Sequence, residues 1–178
     1  IMNSFDAPQI DASVLDQFNR SEVILFECDN AGEVVFDLLL VMALIQQGKQ
    51  VTMVAKSDSI LNDITCQEIL DIIHSESIFL PLKVALDNQL SVISANTFPM
   101  VGKYLPLVTD DYKSAYQVAD LVWLKGQANF QTMPSLNFSL FEQKITYKKP
   151  VGVSFIAKAP IVQYCLRYSN IKKVNLGD

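Results

Sequence analysis

From residue 22 onward, short apolar runs of strand length alternate with stretches whose apolar residues recur at helical spacing. Residues 23–28 form such a run, and residues 32–47 carry the helical spacing and stop at Gly48, a natural helix terminator. The alternation continues with strands at 50–56, 90–94, 121–124 and 151–157, and with helices at 63–74 and 110–119. Residues 134–141 read as a short helix, 159–168 as a helix opened by Pro160, and 171–174 as a last strand. Residues 96–106 and 125–133 read as loops, while 75–89 gives no clear pattern. Strands alternating with helices imply an α/β fold, a mainly parallel sheet wrapped by helices. A polar lead-in at 1–20, with a short helix near 12–18, precedes a single expected domain at 21–178.

Composition narrows the classes of function. Half of the 178 residues are hydrophobic and the mean hydropathy is +0.23. That excess fits a parallel sheet buried on both faces, or a surface that meets another domain or subunit. The net charge is −5, and no basic run exceeds Lys148-Lys149 or Lys172-Lys173, so a nucleic-acid role is not expected. Cys28, Cys66 and Cys165 have no framework spacing, which points to a reducing, cytoplasmic setting. The longest apolar stretch, 34–45, is broken by Asp37 and too short for a bilayer, so no membrane partner is expected. Asp6 and Asp11 do not fit a signal peptide.

Polar clusters fall at the ends of the expected strands: Asp29-Asn30, Asn62-Asp63 one loop beyond its strand, Lys125 with Asn129, and Lys158. In a parallel sheet those ends share one edge, where ligands bind. Two carboxylates and an amide offer hard oxygen ligands for a divalent cation, and lysines neutralise an anion. Phosphoryl chemistry needs that combination, because it rests on positioning and charge compensation. Plainer roles stay open for each residue. Asp-Asn before a helix also makes a capping turn, Asp63 also makes an N-cap, and both lysines also serve as solvated charges. His74, the sole histidine, lies at a helix end, so a Ser-His-Asp site has no support. No GxGxxG or Walker sequence is present.

Three segments carry a resemblance. They are Asp29-Asn30-Ala31-Gly32-Glu33-Val34-Val35-Phe36-Asp37, Gly48-Lys49-Gln50-Val51-Thr52 and Ile60-Leu61-Asn62-Asp63-Ile64-Thr65. A fourth, residues 119–131, contains Lys125-Gly126-Gln127-Ala128-Asn129-Phe130-Gln131. Together they resemble the damage-control phosphatase family, or domain of unknown function 89, and most of all its compact prokaryotic branch. The resemblance implies a three-layer, Rossmann-like α/β/α fold. It also implies metal-dependent hydrolysis of phosphate monoesters, typically sugar phosphates or damaged metabolites. By the same resemblance Asp29, Asn30 and Asp63 hold a divalent cation (magnesium, manganese, cobalt or nickel), and Lys158 contacts the phosphate. Lys125 and Asn129 line the site, and Gly102 lies in a loop near the substrate.

The chain departs from the family pattern at Ala128, usually glycine, and at Gln131, usually glutamate. Around Lys158 the flanking residues also differ from those of the family branches. Members generally carry a helical region before the first motif, whereas about twenty residues precede it here. A helical domain or subunit covering apolar surface is therefore an expected partner. The first expectation is a metal-dependent phosphatase, and the alternative is a non-catalytic descendant that binds a phosphometabolite or a partner protein. A carboxyl methyltransferase, an activity sometimes attached to the family, finds no glycine-rich loop for a methyl donor.

Overall fold

The computed structural model describes residues 12–86, 88–132 and 150–154. Five strands, β1 (Val23–Glu27), β2 (Gln50–Ala55), β3 (Leu90–Ser94), β4 (Leu121–Lys125) and β5 (Val151–Ser154), form one sheet in the order β3-β2-β1-β4-β5. Every neighbouring pair is parallel. The helices are α1 (Ala12–Arg20), α2 (Val34–Gln46), α3 (Cys66–Ser75), α4 (Leu80–Ala85), α5 (Asp110–Val118) and α6 (Gln127–Gln131). The chain lays β1, β2 and β3 outward in one direction, then crosses back to place β4 on the other side of β1. That reversal opens a crevice beyond the C-terminal ends of β1 and β4.

The apolar runs form strands because both faces of the sheet are covered. Ile24 and Phe26 face a cluster with Leu38 and Val41 of α2, Ile69 and Ile73 of α3, and Leu82 of α4. Leu25 faces the opposite cluster, with Val122, Leu124 and Tyr112 of α5. The lead-in is more than polar: α1 sends Phe18 against Trp123, ring centroids 4.8 Å apart, and Phe18 packs on the first cluster. Lys49 fastens the end of α1, donating to the Asn19 and Ser21 carbonyls at 3.1 and 2.7 Å. The Asp120 carboxylate accepts from the Glu22 and Val23 amides and ties the start of β1 to that of β4.

Two expectations are corrected, and one segment without a pattern is resolved. Asp63 is not the N-cap of α3. Thr65 holds that place, its hydroxyl accepting from the Glu68 amide while the Glu68 carboxylate accepts from the Thr65 amide at 2.8 Å. The expected loop at 125–133 contains helix α6, anchored by buried Phe130 and Asn129. The unpatterned segment before β3 holds a 3₁₀ turn, Ser77–Phe79, and α4, with Phe79 and Leu82 in the core. The expected elements at 134–141, 159–168 and 171–174, and the end of the strand expected at 151–157, lie outside the described residues.

No helix among the described residues is long and apolar enough to cross a membrane. The hydrophobic excess has two sources here. The central strands β1 and β4 are buried on both faces, and the outer face of α2 leaves Val35, Phe36, Leu39 and Leu40 exposed.

Replacing Thr65 by Ala removes the hydroxyl that accepts from the Glu68 amide, leaves the backbone half of the capping box in place, and should lower stability by about 1 kcal/mol. Urea denaturation reads this as a lower midpoint with an unchanged slope. An unaltered midpoint would mean that another group starts α3.

Candidate metal and phosphate site

Two backbone contacts bring the loop after β1 against the loop after β2. The Ile64 amide donates to the Asp29 carbonyl, and the Ala31 amide donates to the Asn62 carbonyl, both at 2.9 Å. Asn30 and Asp63 consequently pair as an isolated antiparallel bridge. Leu61, just before this pairing, is exposed and takes a left-handed conformation (φ 52°), the sharp bend that turns Asn62 and Asp63 back toward β1. Asp29, Asn30 and Asp63, separated by more than thirty residues of sequence, thus share one place at the switch point.

Asn30 occupies the N-cap position of the 3₁₀ turn Ala31–Glu33, in extended conformation, and its amide nitrogen donates to Asp29 Oδ2 at 3.0 Å. The Glu33 carboxylate accepts from the Asn30 backbone amide at 3.4 Å. Burial holds the Asp29 carboxyl above its usual range, and the nearby Asp63 and Glu33 charges raise it further against the pull of Lys56 and Lys125. Gly126 (φ 81°) packs directly on this carboxyl, and a Cβ there would fall within it. The Lys-Gly-Gln segment therefore needs glycine for both its conformation and its closeness to Asp29.

Lys125 stands at the end of β4, its ammonium 2.7 and 2.9 Å from the Asp37 oxygens and 3.1 Å from Glu33 Oε2. Burial would lower its pKa, yet these carboxylates prevail and hold it above the ordinary lysine value. The buried Asp37 carboxyl is itself raised by burial, opposed by Lys125. Asn129 donates through Nδ2 to the Cys28 and Lys125 carbonyls at 2.9 and 2.8 Å, joining α6 to the ends of β1 and β4. Its amide hydrogens thus face the protein backbone. Gly102 (φ 72°) accepts from Asn96 Nδ2 at 3.2 Å and lines a cleft with Cys28, Lys56, Lys103 and Asn129. Lys158 lies outside the described residues.

Several polar residues that the sequence did not single out complete the surroundings. Lys56, just past β2, meets Asp63 Oδ2 at 3.3 Å. Beneath the cleft, Glu27 and Lys103 form a buried ion pair, and the Tyr112 hydroxyl donates to Glu27 at 2.6 Å. Lys56 obeys the strand-end rule that located Lys125 and was legible from it. Glu27 was hidden within an apolar run, and only its partner across the sheet reveals its role. Cys28 is no candidate nucleophile: burial pushes its thiol well up, and Asp37 adds to the effect. His74 is exposed at the end of α3 with Nδ1 2.7 Å from the Leu70 carbonyl, in keeping with a structural role.

The donor set suits a hard cation. Among the described residues no three histidine, cysteine, aspartate or glutamate side chains converge on one point. Two carboxylates and an amide, completed by water, match the oxygen-rich and partly hydrated shell of magnesium or manganese better than a zinc cage.

Comparison with known proteins bears on the family and the fold. Residues 5–159 match the model of the damage-control phosphatase ARMT1-like domain. The damage-control phosphatase PH1575 of Pyrococcus horikoshii is 30% identical over 127 residues, covering 71% of this chain and 40% of the relative. The uncharacterized protein MJ0202 of Methanocaldococcus jannaschii is 27% identical over 135 residues, covering 76% of this chain and 38% of the relative. The crystal structure of PH1575, a DUF89 family protein from Pyrococcus horikoshii, superimposes with a TM-score of 0.69 at 26% identity. That match covers 92% of this chain and 50% of the solved one. The chain therefore spans about two fifths of the length of these curated relatives. With most of its length matched by the family model and its fold shared with a solved member, the chain belongs to the damage-control phosphatase family.

Proposed function

We propose that the chain carries the site of a metal-dependent phosphatase that hydrolyses small phosphate monoesters, such as sugar phosphates or damaged phosphometabolites. The observation that carries this reading is the meeting of Asp29, Asn30 and Asp63 at the switch point, where Asp29 is crowded by like charge. A divalent cation held by these three residues would supply positive charge to the phosphoryl oxygens and lower the pKa of a water.

The protein's own residues have separable tasks. Asn30 orients the Asp29 carboxylate through its amide. Gly126 lets the backbone after β4 close over that carboxylate. Lys125 holds Asp37 and Glu33 at the start of α2 and contributes its charge to the phosphate side of the site. Asn129 and Gly102 shape the substrate side, one by fixing α6 and the other by allowing the loop over the cleft. Lys158 is assigned a direct contact with the phosphate. The exposed apolar face of α2 is the surface that a helical domain or subunit would cover.

The alternative is a family descendant that binds a phosphometabolite or partner protein without turnover. It is favoured by the inward use of the Asn129 amide hydrogens together with Ala128 and Gln131. Turnover of a phosphate-ester panel that is abolished by Asp29→Ala would exclude it.

Magnesium, manganese, cobalt or nickel should raise the unfolding temperature of the protein. Asp29→Ala should abolish that gain and lower any turnover at least ~100-fold, in line with losing a preorganised charge site. The metal-free variant should unfold at the same temperature or higher, because a crowded carboxylate is gone. Failure of all four metals to stabilise the wild type would sink the proposal.

Gly126→Ala should also weaken metal binding, and it should destabilise the fold through its left-handed backbone by about 1 kcal/mol or more. Calorimetric titration and thermal melts read the two effects separately. Unchanged magnesium affinity would show that the closeness of Gly126 to Asp29 has no part in the site.

A further inference from the structure

Among the described residues three lysines approach the site, and their partners differ in kind. Lys103 is held by buried Glu27, and Lys125 is held by Asp37 and Glu33. None of those carboxylates belongs to the proposed metal site. Lys56 alone of the three pairs with a proposed metal ligand, Asp63, and its 3.3 Å contact is longer than the 2.7 Å contact of Lys125 with Asp37.

The position of Lys56 is fixed by its backbone. Its amide donates to the Ile64 carbonyl at 3.0 Å and its carbonyl accepts from the Cys66 amide at 2.9 Å. The side chain is nearly buried, and Lys56 is among the residues that line the cleft, with Cys28, Asn96 and Lys103. An ammonium has three donors, and Asp63 faces one side of it. When Asp63 shares its charge with a divalent cation, its hold on Lys56 weakens, and the ammonium is left beside the cation.

We infer that Lys56 is a phosphate-binding residue of this site, donating to an oxygen of the bound phosphoryl group next to the cation on Asp29, Asn30 and Asp63. In the metal-free protein the same lysine balances Asp63. This rests on the proposed metal site and adds to it a residue that none of the sequence motifs singled out.

The test is calorimetric titration of the full chain, first with magnesium chloride and then with inorganic phosphate, for wild type, Lys56→Met and Lys56→Arg. The wild type should bind phosphate once loaded with magnesium. Lys56→Met should lose about tenfold or more in phosphate affinity, the scale of a charge-assisted hydrogen bond. Its magnesium affinity should be unchanged or tighter, because an ammonium no longer competes for Asp63. Lys56→Arg should retain most of the phosphate affinity. Thermal melts check that each variant is folded, and Lys56→Gln replaces the Met variant if that one is not.

Phosphate affinity within twofold of wild type in the folded Met or Gln variant would overturn the inference. So would a parallel fall in magnesium and phosphate affinity, which would assign Lys56 to the fold alone. A wild type that takes magnesium but no phosphate also overturns it, with the metal site standing. A wild type that takes no magnesium removes the metal site and this inference together.

Discussion

The site depends on two hydrogen bonds between loops. Ile64 to Asp29 and Ala31 to Asn62 fasten the turn after β2 onto the turn after β1. Parallel pairing of β1 with β2 brings the strand ends side by side, but the β2 loop runs several residues further before it reaches Asp63. Without the cross-loop pairing, Asp63 would hang from an exposed loop. With it, Asp63 meets Asn30 across a bridge, and Thr65 starts α3 immediately afterwards. The helix start and the ligand position are thus set by one short segment. Asp63 is left outside the helix because Thr65 satisfies the Glu68 amide in its place.

The same economy explains what the sequence revealed and what it concealed. The positions of β1 and β4 were legible because both faces of the sheet are buried at its centre, so each is an almost continuous apolar run. From these followed the strand-end positions of Asp29, Asn30 and Lys125, while the family pattern added Gly102 and the ligand roles. Helix α6 was missed because it is short and polar. It is held by the Asn129 amide on two backbone carbonyls and by Phe130, not by an amphipathic stripe. The plainer role of Asp63 as a cap rests on the preference of acidic residues for helix starts, and the stronger Thr65-Glu68 box two residues later takes that place. Partners remote in sequence, such as Glu27 with Lys103 and Tyr112, leave no local signal at all. They exist only once β1, α5 and the loop after β3 are packed together.

Charge balance gives the strongest physical reason to regard this as a ligand site and not as a structural ion network. A buried network built only for structure tends to pair each charge, since an uncompensated buried charge is strongly destabilising. Here Glu27 is paired with Lys103, Asp37 and Glu33 share Lys125, and Asp63 leans on Lys56 at longer range. Among the described residues Asp29 has no lysine in contact; its hydrogen-bond partner is the neutral Asn30 amide, and Asp63 and Glu33 press on it. Among the described residues five carboxylates therefore face three lysines, and the unmatched negative charge of this set collects where Asp29, Asn30 and Asp63 meet. One divalent cation would cancel that excess at its centre. It would also relieve the crowding of Asp29 and turn Lys56 from the counter-ion of Asp63 into a donor for a second, anionic guest. The arrangement of the lysines follows from the same logic. Two are tied to carboxylates that frame the site, and the third is tied only to a carboxylate that the cation would claim.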